Sequence, residues 1–343
     1  MFLSNPTWTQ NCFIGKYCNL RALHQTSLDN STFSQIPWAR TDRVGLFVPT
    51  LNPGMQWNQW IASLKIQSLQ PDRVLIIDSS STDNTVELCH SAGLEVQVIP
   101  QHQFSHGGTR QLAAEILSDM DIIIYMTQDA IFADNDTIKK IVNPFNNAEI
   151  SAVSGRQLPY AHATASSAFA RSFNYPASSE LKSTEDIPTK GIKTAFVSNS
   201  FAAYRRSALM ECGGFPAHLI VSEDMYLAAK MLMEGHKIKY EADALAFHSH
   251  NFTCLEEFQR YFDIGVFHHR EAWIGEEFGG AGGEGFKFVK QEISSLGLRH
   301  IHRLPLVILS TAMKFLGFRL GILESKIPPA ISRFISMQKY YWK

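Results

Sequence analysis

Asp129 follows the apolar stretch DIIIYM at 121–126 and is preceded by Thr127 and Gln128. At a rigid strand end its carboxylate offers the exposed oxygen that a hard cation such as Mg²⁺ or Mn²⁺ takes, although Asp in that place also caps helices. His248 and His250 close a strand-like run as HSH, two residues apart and so on one face. Either neutral imidazole could complete the shell of such a cation. Glu223 and Asp224 stand behind Ser222 at the head of an amphipathic helical segment. An ionised carboxylate there suits abstraction of a proton from a hydroxyl; the alternative is a Ser N-cap with two acids complementing the helix dipole.

Two further groups have the chemistry to meet a nucleotide. Asp78 ends VLIID at 74–78. It could accept a hydrogen bond from the imide N–H of uracil or thymine, or serve the SSSTDNT turn that follows, whose Asp83 can cap a helix. His106, Gly107, Gly108, Thr109 and Arg110 open a helical segment, so backbone amides, the helix dipole and a guanidinium can converge on a diphosphate. Pro49, Thr50 and Asn52 at the end of the first apolar run, and Gln128 beside Asp129, border the same place. Arg156, Asn199 and Arg206 are further pocket candidates that the sequence does not rank.

The elements that must position these residues are legible as a repeat of strand, turn and helix. Short apolar runs at 44–50, 74–78, 96–100 and 121–126 alternate with helical spacing, such as Trp57, Trp60, Ile61 and Leu64. Unalternating strands between helices predict an α/β fold with a mostly parallel central sheet covered on both faces, and ligands in such sheets bind beyond the carboxyl ends of the strands. A strand over TAFVSNSFAAY at 194–204, a helix over 223–234 and a strand in KIKYEADALAF follow. After Thr253 the chain reads as helical. The predicted organisation is an irregular extension at 1–42, a main domain at 43–252 and a helical C-terminal region at 253–343. Within that region GGAGGEG at 279–285 suits a mobile lid or a plain linker. LPLVILSTAMKFLGFRLGI at 304–322 carries Lys314 and Arg319, which predicts a helix lying at a membrane surface or buried in the core, and not one that spans a bilayer.

A formal net charge of -1 over 343 residues argues against nucleic-acid binding by broad phosphate neutralisation. The five cysteines are scattered without a CxxC pair, so neither a disulfide framework nor a thiolate zinc site is indicated, and a reducing cytoplasm fits. With no basic stretch leading into an apolar run at the N-terminus and no uninterrupted apolar span, the expectation is a protein neither secreted nor integral to a membrane.

The order of Asp78, Asp129 and the Glu223–Asp224 pair resembles the inverting family 2 glycosyltransferases of GT-A fold, over about residues 44–250. Within that family FSHGGTR at 104–110, MTQDA at 126–130 and GEGFKFVKQE at 283–292 are similar to the bacterial rhamnosyltransferases of O-antigen and related surface polysaccharides. Thr127 stands where most relatives have the first Asp of a DxD metal motif. The resemblance implies a GT-A, Rossmann-like fold. It also implies a divalent metal (Mg²⁺ or Mn²⁺) on Asp129 joined by a histidine of the HSH run, a nucleotide base held by Asp78 and the Thr50 turn, and Arg110 toward the diphosphate. Asp224 is then the catalytic base and Glu223 positions the acceptor. The implied donor is TDP-L-rhamnose and the acceptor an oligosaccharide or lipid-linked saccharide, at the inner face of the cell membrane, with peripheral contact through the C-terminal region. Selection of a 6-deoxy sugar by a small apolar patch is worth only ~1–3 kcal/mol, so the donor follows from the resemblance. The alternatives are another UDP- or GDP-linked hexose, a non-catalytic nucleotide-sugar binding subunit, and a sugar nucleotidyltransferase. The last lacks its glycine-rich loop after the first strand, where this chain has LNPGMQWNQ.

Overall fold

The computed structural model describes residues 42–280, 282–296 and 302–342. The extension expected at residues 1–42 lies, but for Asp42, outside them. One sheet is built from β1 (Val44–Thr50), β2 (Arg73–Asp78), β3 (Glu95–Val98), β4 (Ile122–Met126), β5 (Ile131–Phe132), β6 (Ile150–Leu158), β7 (Glu180–Lys182), β8 (Phe201–Arg205) and β9 (Lys237–Phe247). The first four strands pair in parallel in the order β3-β2-β1-β4. β8 enters antiparallel between β4 and β6, and β9 runs parallel to β6, so six strands share one direction. β5 and β7 pair with β9 antiparallel. The strand order reverses between β1 and β4, the place where open α/β sheets bind ligands.

The pleat divides the apolar strands between two faces. Phe47, Leu75, Ile77, Ile123 and Tyr125 point to one side, and Leu46, Val48, Ile76, Ile122 and Ile124 to the other. The second face is covered by the helix Gln56–Lys65, whose Trp57 and Trp60 stack with ring centroids 4.5 Å apart. The first is covered by the helices His106–Ile116, Glu223–Met233 and Cys254–Arg270. The last begins with a Thr253–Glu256 capping box and buries Phe262, Val266 and Phe267 against the sheet, so the helical C-terminal region completes the core.

Three expectations about irregular segments change. The strand expected over 194–204 is confined to β8, because the buried Lys182 ammonium donates to the carbonyls of Lys193 (3.3 Å) and Phe196 (2.6 Å) and bends that backbone around itself. In the glycine-rich stretch, Gly282 onward is the first turn of the helix Gly282–Leu296, where Glu284 pairs with Lys193 and Lys287, both at 2.7 Å. A linker or loop-built lid therefore does not describe residues 282–285; Ala281 lies outside the described residues. The helix Leu304–Ile322 is neither a core helix nor too polar to span: only 17% of it is buried, and by length and composition it is apolar enough to cross a membrane. Of the two charges it carries, Lys314 is paired with Glu257 at 3.3 Å.

That helix rests on Cys254–Arg270 through glycine. A Cβ on Gly317 would stand 2.3 Å from the Phe258 carbonyl oxygen, one on Gly321 2.2 Å from that of Phe262, and one on Gly265 2.3 Å from that of Phe318. The two backbones approach as closely as small-residue helix pairs allow.

Candidate active site

The metal candidates converge. His248 Nε2 and His250 Nε2 each lie 3.4 Å from the same Asp129 oxygen, Oδ2. All three ligand atoms fall within 4.8 Å of one another. The strand pairing explains the meeting. A register shift at Gly155/Arg156 realigns β6 on β9, and the His248 N–H then donates to the Leu158 carbonyl at 2.8 Å, setting the HSH run against the end of β4. Asp129 is followed by β5, so there is no helix for it to cap, and the Tyr160 hydroxyl fixes its carbonyl at 2.8 Å.

A second layer sets the imidazole chemistry. His248 Nδ1 lies 2.7 Å from Gln157 Oε1, which can only accept, so Nδ1 carries a proton and Nε2 is the nitrogen directed at the Asp129 side. Arg171 Nη1 donates to the same Gln157 oxygen at 2.6 Å. Burial and the charge of His248 push His250 down to about 4, which leaves it neutral and able to ligate near pH 7. Burial opposes ionisation of Asp129, but the hydrogen bond and charge of His248 and the charge of His250 outweigh it and hold the carboxyl well below its ordinary range. Two imidazoles and one carboxylate with an open, solvent-facing side fit a first-row divalent cation; imidazole suits Mn²⁺ better than the oxygen-seeking Mg²⁺.

The acidic pair lies on the other side of one dipeptide. Gln157 Nε2 donates to Ser198 Oγ at 3.0 Å, and the next residue, Asn199, donates its backbone N–H to Asp224 Oδ2 at 2.9 Å and its Nδ2 to Glu223 Oε1 at 3.2 Å. The Tyr204 hydroxyl holds Asn199 Oδ1 at 2.8 Å. Ser198–Asn199 thus couples the metal arm to the carboxylates. Ser222 adopts a left-handed conformation (φ 65) and makes no capping bond, so the plain N-cap reading fails, and the strained residue turns the pair into the site. Burial, then the charge of Glu223, pushes Asp224 up to about 6. Burial opposes ionisation of Glu223 too, but Arg110 and then His106 hold it below the usual range.

Several donor-side residues sit differently from expectation. Arg110 is buried, with Nη1 on Glu223 Oε1 at 3.0 Å and on the His106 carbonyl at 3.0 Å, so its guanidinium faces the acidic pair and not an open diphosphate pocket. Gly107 and Gly108 are there for packing: a Cβ on Gly107 would stand 1.9 Å from the Pro216 carbonyl oxygen, and one on Gly108 3.3 Å from Ala217 Cβ. His106 packs edge-on to Phe104 at 5.2 Å. Gln128 uses both ends of its amide on Leu51, and Asn52 Oδ1 accepts from the Thr82 and Asp83 amides. Asp78 is fully buried; its Oδ2 accepts from Thr50 (2.8 Å) and Ser81 (2.6 Å), and its Oδ1 from the Ser81 amide (2.7 Å). The Thr50 bond follows from register, since Thr50 and Asp78 are partners across β1 and β2, with Pro49 opposite Ile77. Arg206 is structural, donating to the Ala114 carbonyl at 2.8 Å. Gln157, Arg171 and Tyr160 were missed by sequence reasoning: all three act through other residues, and isolated Gln, Arg and Tyr carry no pattern to flag them.

Comparison with known proteins decides the family. The model of glycosyl transferase family 2 matches residues 46–213. The chain is 48% identical over 301 residues to the O-antigen chain rhamnosyltransferase RfbN of Salmonella typhimurium, covering 88% of this chain and 96% of that protein. It is 47% identical over 298 residues to the O-antigen chain rhamnosyltransferase WbaN of Salmonella anatum, covering 87% and 95%. This chain belongs to glycosyl transferase family 2. The fold agrees: a mannosyltransferase of Pyrobaculum calidifontis, solved in complex with GDP-Man and Mn²⁺, superposes with a TM-score of 0.53 at 18% identity, over 88% of this chain and 86% of that one. The sheet is therefore that of a GT-A glycosyltransferase, and the Asp129 triad and the Glu223–Asp224 pair lie on one connected scaffold within it.

Proposed function

We propose that this glycosyltransferase moves L-rhamnose from TDP-L-rhamnose to a saccharide acceptor, with inversion, in the synthesis of O-antigen or a related surface polysaccharide. The observation that carries the chemistry is the continuous path from Asp129 and His248 through Gln157, Ser198 and Asn199 to Asp224. Support for the sugar comes from the two Salmonella rhamnosyltransferases, which are alike over nearly their whole length.

Asp129, His248 and His250 would hold the divalent cation, with Mn²⁺ favoured. When bound, such a cation offsets the negative charge that develops on the departing diphosphate. Asp78, Thr50, Pro49, Asn52 and Gln128 form the wall for the base: Asp78 Oδ1 carries one hydrogen bond and keeps capacity for the imide N–H of thymine. The acceptor hydroxyl oxygen attacks the anomeric carbon as the bond to the diphosphate breaks, and its proton passes to Asp224. Glu223, locked by Arg110 and Asn199, positions Asp224 and raises its proton affinity.

The acceptor is an oligosaccharide or lipid-linked saccharide, and the enzyme works in the cytoplasm at the inner face of the membrane. The exposed apolar side chains of the C-terminal region support that placement, among them Leu306, Phe315 and Phe334 at 62%, 68% and 78% exposure. From Ile293 to Lys343 the chain has eight Lys or Arg against one acid, Glu324, which suits an anionic lipid surface. A calorimetric donor screen with Mn²⁺ tests the assignment. TDP-rhamnose should bind more tightly than UDP-galactose, UDP-glucose and GDP-mannose; preference for another donor contradicts it.

A further inference from the structure

With Arg110 committed to Glu223, the diphosphate needs another cation, and the helical C-terminal region presents one. Arg260 projects from the helix Cys254–Arg270, exposed to solvent, with its guanidinium 5.5 Å from the centroid of the Phe252 ring. Phe252 in turn stacks on the His250 ring at 4.9 Å, with the planes 25° apart. Arg260 is thereby held one aromatic ring away from the metal triad. Among the described residues it makes no ion pair. The acids near it on its own helix are taken: Glu256 by the Thr253 amide and hydroxyl, Glu257 by Lys314 at 3.3 Å, and Asp263 by the Ser336 hydroxyl at 2.6 Å and the Met337 and Gln338 amides.

The surroundings of that guanidinium are already positive. Burial lowers the proton affinity of Arg171, and the charge of Arg260 adds to that effect; burial and Arg110 dominate at His106, where Arg260 adds as well. Within the triad Asp129 is the one carboxylate that would face Arg171 and a divalent cation, while Glu257 and Glu223, which also act on these groups, are paired with Lys314 and Arg110. A positive excess of this kind, beside an open metal face, fits a di- or trianion. The planar fork of arginine, steadied on an aromatic ring, matches phosphate oxygens in pairs.

We infer that Arg260 binds the diphosphate of the nucleotide-sugar donor, in the role expected of Arg110, so that the C-terminal region supplies part of the donor site. This rests on the nucleotide-sugar reading above. It implies that a chain lacking the helix Cys254–Arg270 would lose donor affinity as well as part of its core.

The test is calorimetric titration of TDP, UDP and GDP into the full chain with Mn²⁺, for wild type, Arg260→Ala, Arg260→Lys and, as a control for loss of surface charge, Arg319→Ala. Mn²⁺ affinity is followed in parallel by electron paramagnetic resonance without nucleotide. Arg260→Ala should weaken the best-bound nucleoside diphosphate by on the order of tenfold or more while Mn²⁺ affinity stays at the wild-type value. Arg260→Lys should fall between, keeping the charge and losing the fork, and Arg319→Ala should match wild type. Wild-type affinity in Arg260→Ala overturns the inference and leaves the nucleotide-sugar reading standing. So does loss of Mn²⁺ affinity along with the nucleotide, which marks a structural role. Failure of the wild type to bind any of the three nucleotides overturns both.

Discussion

The two acids of the Glu223–Asp224 pair are adjacent in sequence and opposite in character. Glu223 is sunk against Arg110 and stays charged; Asp224 has no cationic partner among the described residues, only backbone hydrogen bonds from Asn199 and Met225 and a like-charged neighbour. A base that must be ionised to act, with its proton affinity raised to about 6, should make log(kcat/KM) climb with pH below about 6 and level off above it. A profile flat from pH 5 to 7 would exclude Asp224 as that base. Asp224→Asn should abolish transfer and leave donor binding intact. Breaking the buried ion pair with Arg110→Ala should cost about 3–5 kcal/mol in urea unfolding, because Glu223 is stranded; a loss below 1 kcal/mol would return Arg110 to a solvent-facing role. The sequence displayed these acids and the two histidines because each ends or begins an element. It did not display which cation meets which anion, since Arg110 and Arg260 differ only in where the fold takes their long side chains.

At the scale of elements, the strand–helix repeat was readable because buried parallel strands are continuous apolar runs, and the sheet from β1 to β4 follows it closely. What escaped depends on contacts remote in sequence. Lys182 holds the carbonyls of Lys193 and Phe196, so β8 begins only at Phe201, after the Ser198–Asn199 turn on which the site hinges. The glycines at 317 and 321 read as weak helix formers but are the contact surface with Cys254–Arg270. Gly321→Val should destabilise the chain by several kcal/mol, since its Cβ would fall 2.2 Å from the Phe262 carbonyl oxygen. A change under 0.5 kcal/mol would mean that the helices do not pack this closely. On the same helix Asp263 holds the Ser336–Gln338 segment, and burial raises it from 3.8 to about 6. The folded state therefore keeps this proton more firmly than the unfolded chain. That contribution to stability is complete below about pH 4 and disappears as pH rises through about 6. Relative to Asp263→Asn, the wild type should lose urea stability across that window; parallel curves would refute the shift.

Across the whole molecule, charge and apolar surface are unevenly distributed, with a near-neutral total hiding a basic, greasy C-terminal region. Composition conceals this, while the exposed helix Leu304–Ile322 makes it plain. Vesicles containing phosphatidylglycerol should float the enzyme, phosphatidylcholine vesicles should do so less, and Phe315→Ser with Phe334→Ser should abolish it; no flotation in either lipid would remove the membrane from the account. The chemistry depends on the place where Asp129, His248 and His250 meet. Its most direct test is the rate of TDP release from TDP-rhamnose by metal-stripped enzyme in EDTA and after Mn²⁺ is restored. The arrangement of the triad requires release to stop in chelator and to return with Mn²⁺ in the wild type but not in Asp129→Ala; an undiminished rate in EDTA would contradict it.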